Sequence, residues 1–342
     1  MSDNTLPTAA PQEHAFAPYV RILGKGKSGS RSLSLDEARH AFSLILRSEV
    51  EPLQLGAFLM LLRVKEETAE ELAGFILACR DEMVCPPTDL AADLDWSSYA
   101  GKKHQHPWYV LAILLLAQSG LRVFVHGSAG TTPGRLYTEQ VFRSLNLPIA
   151  DGWAQVSQQL KTSSMSYLPL QQFCPALDSI LHLRPLLGLR SPVNTLARLL
   201  NPLNSPFSLQ SVFHPGYAQL HHQASLILKQ PSALVFKGES GEAEIRPHAD
   251  TQLNYLAGSK QLELSAKRTI NQRVTAVAAP DVTPLVQLWR GENAENYGLQ
   301  AVIATTAAVL TLHAPHLNES DATQQAMTLW QNRDTTRLDR CH

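Results

Sequence analysis

One stretch constrains this chain more than any other: Leu121 to Leu147, LRVFVHGSAGTTPGRLYTEQVFRSLNL. Its opening, Arg122-Val123-Phe124-Val125-His126, is a short apolar run rich in β-branched and aromatic residues, which predicts a buried strand. Gly127 to Gly130 is a glycine and serine turn. Thr132 then reads as a helix N-cap and Pro133 as the first helical residue, where a missing N–H costs nothing. A strand passing through a small-residue turn into a helix belongs in a parallel, layered sheet. The same geometry aims backbone N–H groups and a helix terminus at one point, which makes an anion site. An ordinary βα turn has the same spacing, and the stretch is compatible with both.

The rest of the chain divides around that unit. Residues 1–17, with Pro7 and Pro11 among small polar residues, are expected to form a disordered tail. From 18 to 88 the pattern is helical. Ser34-Leu35-Asp36-Glu37 and Thr68-Ala69-Glu70-Glu71 are capping boxes, and Glu51-Pro52 starts a helix between them. From Asp89 strands and helices alternate. A nearly all-apolar helix is expected over Trp108 to Ser119. Strands are expected at Met165 to Leu168, Gln210 to His214, Ala233 to Lys237 and Thr251 to Leu256. Helices are expected after Thr132 to Leu147, over Gln171 to Leu183, Tyr217 to Leu228 and Ala294 to Leu312, and in the tail from Asn318. The fold class is therefore α/β: a small N-terminal all-helical domain (18–88) and a larger domain (89–342) with a mostly parallel central sheet.

Composition narrows the function. With 342 residues, 44% of them hydrophobic and 17% charged, the chain can build a sizeable core. A formal net charge of −1 excludes a uniformly basic protein but leaves room for a basic groove balanced by acid elsewhere. Cys79, Cys85, Cys174 and Cys341 show no CxxC spacing and read as reduced thiols. The first residues carry no apolar signal, and the longest apolar run, Val110 to Ala117, is too short to cross a bilayer. A cytoplasmic location is expected. Lys25, Lys27 and Arg31 lie among glycines and read as a solvated loop or as a flexible arm for phosphates. His104 and His106 have no partner set for a metal, so no metal site is expected.

Several segments together resemble the anthranilate phosphoribosyltransferases and pyrimidine nucleoside phosphorylases, the glycosyltransferase family 3 fold. Gly56 to Met83, GAFLMLLRVKEETAEELAGFILACRDEM, is similar to their N-terminal helical region. Leu187-Gly188-Leu189-Arg190-Ser191-Pro192-Val193-Asn194, continuing to Leu200-Asn201-Pro202, resembles their LG-R-x-x-x-N…NP segment. Arg290 to Asn296 with Thr305 to Leu310 resembles their C-terminal G-x-x-x-x-N…A-A-x-L helix, and Val125-His126-Gly127 stands at their K-H-G strand end. The resemblance runs from about Tyr19 to His313 and implies that part of 186–203 joins the helical domain.

The catalytic motifs depart from that family. Its G-T-G-G-D loop, which binds the diphosphate of phosphoribosyl pyrophosphate, is replaced within Asp93 to Pro107 by a stretch holding Trp96, Tyr99, Lys102 and Lys103. Its Mg²⁺-binding loop, G-x-D-G-x-D-E, becomes Gly238-Glu239-Ser240-Gly241-Glu242-Ala243-Glu244, with one acid in place of the adjacent pair. The pattern is most similar to the YbiB-like paralogue branch, whose members are described as homodimers that bind DNA and RNA without sequence preference. The resemblance implies the same here, with no cofactor and no catalytic residues. The phosphate-binding set it implies is Lys25, Lys27, Arg31, Lys102, Lys103, His104, His106, Arg135, Arg184, Arg190 and Arg198. Trp96 and Tyr99 are candidates for stacking bases, against core packing. The dimer is expected through N-terminal helices carrying Phe42, Leu46, Leu55 and Leu59. The alternative is a phosphoribosyltransferase with a divergent substrate.

Overall fold

The computed structural model describes residues 6–26, 28–130, 132–214 and 216–338. Four helices open the chain: α1 (Ala17–Gly24), α2 (Leu35–Leu46), α3 (Pro52–Lys65) and α4 (Ala69–Glu82). Both expected capping boxes form. Ser34 and Thr68 each accept from the backbone N–H three residues on, and the Glu37 and Glu71 carboxylates accept from the cap N–H groups in return. Phe16, which the sequence reading left in the tail, is fully buried and packs edge-on against Phe58, with ring centroids 5.2 Å apart. Cys341 lies outside the described residues.

Seven strands make one sheet: β1 (Leu94–Ser98), β2 (Val123–Gly127), β3 (Met165–Pro169), β4 (Phe207–Val212), β5 (Ser232–Lys237), β6 (Thr251–Ala257) and β7 (Lys260–Ala266). Their order is β3-β2-β1-β4-β5-β6-β7. The first five pair in parallel, and β6 and β7 add an antiparallel edge. The five expected strands are present. β1 and β7 were not anticipated. β1 lies in the stretch that replaces the family's glycine loop and was given no strand, because Leu94-Asp95-Trp96-Ser97-Ser98 looks polar, yet every one of its residues is buried.

Two further expectations need correction. No helix starts at Thr132. The described residues between Ser128 and Tyr137 form no helix, and α6 (Thr138–Ser144) begins only beyond them. Leu136 meanwhile exchanges two backbone hydrogen bonds with Lys102, at 2.8 and 2.9 Å. The anion site imagined at that helix terminus is therefore absent. The helix expected over Gln171 to Leu183 is split into Leu170–Phe173 and Pro175–Leu181, because Pro175 cannot continue the preceding turn.

Helix α5 (Tyr109–Gln118) is buried over Tyr109 to Ala117 because the sheet covers one side and the long helix Asn296–His313 the other. Gly298 of that long helix faces Trp108 so closely that a side chain there would enter the indole ring. A second core joins α1–α4 to α7 (Trp153–Ser163) and the short helices between Leu170 and Leu199. No helix among the described residues is long and apolar enough to cross a membrane.

Candidate nucleic-acid interface

In a parallel sheet the natural binding crevice lies beyond the carboxyl ends of the strands, where the strand order reverses. Here β1 has β2 on one side and β4 on the other, so the loops after β1, β4 and β5 converge at that point. The loop after β1 is Tyr99-Ala100-Gly101-Lys102, the one after β4 holds Phe213 and His214, and Gly238 to Glu244 follows β5.

The centre of this crevice is occupied by the chain's own acids. The Glu242 carboxylate, 1% exposed, accepts the Ala100 N–H at 2.7 Å and the Gly101 N–H at 2.5 Å. The Ser98 hydroxyl donates to its other oxygen at 2.6 Å. These amides belong to the loop for which the family resemblance implied diphosphate binding, and here an internal carboxylate occupies them. Gly238 permits the arrangement, since a side chain there would run into the Glu242 carbonyl and the Ser211 hydroxyl.

The loop for which the resemblance implied a metal is occupied in the same manner. The Lys102 ammonium, completely buried, donates to Glu244 at 2.5 Å and pairs with Glu239 as well. Glu244 also accepts the Tyr109 N–H at 2.9 Å. Burial pushes the Glu244 carboxyl up to about 7, Lys102 pulls it down and Glu239 adds to the rise. Ala243 stands where a second metal-binding acid would be. A cation already sits on the acids that remain, so these residues do not fit a divalent metal. Among the described residues no group of three or more His, Cys, Asp or Glu is arranged to hold one.

Around this self-neutralised centre the surface is cationic. One cavity, of about 420 Å³, is lined by Lys103, His104, Arg135, Lys237, Arg246 and His248 together with Phe213 and Glu239. A second, of about 120 Å³, is lined by Arg63, Arg190, Arg198, Asn194, His214 and Tyr217, again with Phe213. Seven cations thus face two adjoining cavities, and Glu239, the acid among their lining, is already paired with Lys102. Glu66 and Glu67 adjoin Arg63 at the outer end. Like charge is tolerated here. The Arg190 guanidinium is lowered from its ordinary value first by burial, then by Arg135 and Arg184. Arg198 is lowered to about 10 by burial, with Glu242 opposing and Arg190 and Arg135 adding to the fall.

The expected phosphate-binding residues divide accordingly. Lys103, His104, Arg135, Arg190 and Arg198 come together at the cleft. Arg184 joins them by donating to Thr132 Oγ1 at 2.8 Å, an atom Arg190 also reaches at 3.4 Å. Arg198 is buried, donating to the carbonyls of Ser211 and Gly241, so its charge acts through the field rather than by contact. Lys102 is removed from the set by its burial between two acids. Arg31 is neutralised by Glu37 at 2.6 Å, and Lys25 is exposed on the helical domain without lining either cavity. Lys27 lies outside the described residues. His106 is turned away, its Nδ1 accepting the Asp281 N–H at 3.0 Å.

Neither proposed stacking residue is available. Trp96 is fully buried in β1, and Tyr99 is enclosed with its hydroxyl 2.6 Å from His126 Nδ1. Arg63, Lys237, Arg246, His214 and His248 were not anticipated, since none belongs to a motif. Lys237 ends an apolar strand, and that position at the sheet's carboxyl end is the signal that would have found it.

Comparison with known proteins agrees with this architecture. Residues 18–83 match the glycosyl transferase family, helical bundle domain, and residues 109–333 match the glycosyl transferase family, a/b domain. The uncharacterized protein YbiB of Escherichia coli (strain K12) is 30% identical over 246 residues, covering 70% of this chain and 76% of that protein. An anthranilate phosphoribosyltransferase of Methylocella silvestris is 30% identical over 222 residues, covering 64% of this chain and 62% of that one. Among solved structures, anthranilate phosphoribosyltransferase (TrpD) from Thermus thermophilus superposes with a TM-score of 0.76 at 20% identity, over 96% of this chain and 98% of that chain. The Saccharomyces cerevisiae enzyme in complex with PRPP and Mg gives 0.77 at 18% identity, over 95% of each chain.

Proposed function

This chain belongs to the glycosyl transferase family built from a helical bundle and an a/b domain, as a paralogue of the anthranilate phosphoribosyltransferases, and we propose that its cleft binds the sugar–phosphate backbone of DNA and RNA without sequence preference. The observation that carries this reading is the exchange of charge between the site's centre and its rim. Glu242 and Lys102 take the places of diphosphate and metal, while seven cations line the cavities outside them. Contacts to phosphate give affinity and register but carry no base information. No resident cofactor takes part.

A titration of labelled mixed-sequence DNA and RNA oligonucleotides across salt tests the proposal. Affinity is expected to fall by orders of magnitude between about 50 and about 200 mM salt. Lys103→Glu, Lys237→Glu and Arg246→Glu should weaken every sequence alike, and each should reduce the log–log salt slope by about one. A flat salt response refutes the reading.

The relatives support a second reading, phosphoribosyl transfer with a divergent substrate, since three of the proteins compared are anthranilate phosphoribosyltransferases and one of them is in complex with PRPP and Mg. That chemistry requires Glu242 to leave the Ala100 and Gly101 amides. Turnover of phosphoribosyl pyrophosphate with Mg²⁺ and an aromatic amine would establish it.

The proposed form is a cytoplasmic homodimer joined through α3. The residues first expected at that interface are unsuitable: Phe42, Leu46 and Leu59 are buried in the core, and Leu55 packs against it. The apolar stripe α3 leaves open is instead Leu53, 88% exposed, with Ala57 and Val64, 86% exposed.

A further inference from the structure

We infer that the cleft takes its nucleic acid as a single strand, with Phe213 as the platform on which one base stacks; this rests on the cleft being a backbone-binding site. The sequence contains ten phenylalanines, and of the other nine eight lie within the two large hydrophobic cores and Phe207 packs against one. Phe213 is 46% exposed and belongs to neither. It follows β4 directly, at the carboxyl end of the sheet beside the reversal of strand order. An exposed aromatic at that position serves neither of the cores.

Its surroundings define the ligand. Phe213 lines both cavities at once, with Arg63 and Arg190 in one and Lys103, Lys237 and Arg246 in the other. The wall is therefore cationic, then aromatic, then cationic again. A single strand offers the matching alternation of phosphate, free base face and phosphate. A duplex offers the same phosphates but keeps its base faces stacked on one another, so it gains nothing from the ring. Phe213 is also held in place. His214 meets it edge-on, with centroids 4.9 Å apart at 83°, and Gly241 lies beside it, a Cβ there falling in ordinary contact, 3.7 Å, with the Phe213 Cβ.

The experiment compares a thymidine oligonucleotide, the duplex of equal length and the mononucleotide thymidine monophosphate, for the full-length wild-type protein, Phe213→Ala and Phe213→Trp. The ring is exposed, so Phe213→Ala is expected to keep its fold, with circular dichroism as the check. The single strand should bind the wild type more tightly than the duplex. Phe213→Ala should weaken the single strand by about five- to hundred-fold and leave the duplex unchanged. Phe213→Trp should restore single-strand binding. Equal effects of Phe213→Ala on strand and duplex, or none on either, overturn the inference while leaving backbone binding intact. Tighter binding of the mononucleotide than of the strand also overturns it. Absence of binding by any polymer refutes the backbone reading itself.

Discussion

Replacing Glu242 with alanine should destabilise the protein and create a site for inorganic phosphate. The wild-type carboxylate satisfies the N–H groups of Ala100 and Gly101 and receives the Ser98 hydroxyl, all in a buried setting. Its removal leaves two backbone donors without an acceptor, at about 1–3 kcal/mol each. Ser98 suffers less, because its hydroxyl already contacts Thr138. Arg198 loses an opposing charge, which adds to the cost. The sum is about 2–6 kcal/mol, measurable by urea unfolding followed through tryptophan fluorescence. Phosphate or pyrophosphate should then enter the vacated cradle and restore stability, by about 2.7 kcal/mol at a hundred times its dissociation constant. The exposed cations also attract phosphate, so the informative quantity is the stabilisation of the variant minus that of the wild type at matched ionic strength. Glu242→Gln keeps one acceptor and should show a smaller loss and weaker rescue. Equal stabilisation of wild type and alanine variant by phosphate would refute the idea that Glu242 stands in for a bound anion.

Lys102→Met removes the cation between Glu239 and Glu244 and should cost about 3–5 kcal/mol in chemical denaturation; a loss below about 1 kcal/mol contradicts the buried assignment. Burial lowers His221 to about 3, so the unfolded chain binds a proton there that the folded chain refuses, and stability falls as pH drops below about 6.5. His221→Gln should lessen that fall, by at most about 1.4 kcal/mol per pH unit, and a stability difference between the two proteins that does not vary with pH counts against it. Leu53→Glu with Val64→Glu should convert a dimer to a monomer by light scattering without loss of helicity, and a wild type already monomeric at micromolar concentration removes the dimer proposal.

Local signals carried much of this fold. The capping boxes at Ser34 and Thr68 are complete within four residues each, and both form. The run Val123 to Val125 is apolar on both faces because helices cover both sides of a parallel sheet, and β2 begins where it was expected. The failures have physical causes as well. Asp95, Ser97 and Ser98 make β1 look like a loop, yet they are buried polar residues, and Ser97 and Ser98 bond across the sheet and to Glu242. In β7, Leu262 and Leu264 do alternate with polar residues, but both stay largely exposed, so the strand lacks the continuous apolar run by which its neighbours were found. Thr132-Pro133 has the local chemistry of a helix start, but the chain turns at 132–134 and tertiary pairing of Leu136 with Lys102 puts off the helix to Thr138. Lys102 and Lys103 are adjacent and chemically alike, and one is buried between carboxylates while the other faces the cleft. That difference depends on Glu239 and Glu244, more than 130 residues away, and no spacing along the chain could disclose it.

The division between those two lysines extends to the whole site and reconciles a net charge of −1 with the proposed phosphate ligand. Arg135 donates to the carbonyls of Ala100 at 3.0 Å, Gly101 at 2.8 Å and Ser240 at 3.1 Å, so it ties the loop after β1 to the loop after β5. Arg198 ties the end of β4 to the same β5 loop through Ser211 and Gly241. Both arginines are held by neutral carbonyls, which fix the guanidinium without cancelling its charge. They form an inner layer that sets the shape and the field of the cleft. Arg63 and Lys103 are exposed and Lys237 and Arg246 half-buried, an outer layer with side chains available to a ligand. Substitutions in the inner layer must therefore change stability and binding together, whereas those in the outer layer change binding alone. The acids at the centre of the cleft, Glu239, Glu242 and Glu244, are engaged by Lys102 and by backbone amides, so they oppose a polyanion less than unpaired carboxylates would. A near-neutral protein can thus present a cationic cleft, because it is the placement of its acids, not their number, that a phosphate backbone senses.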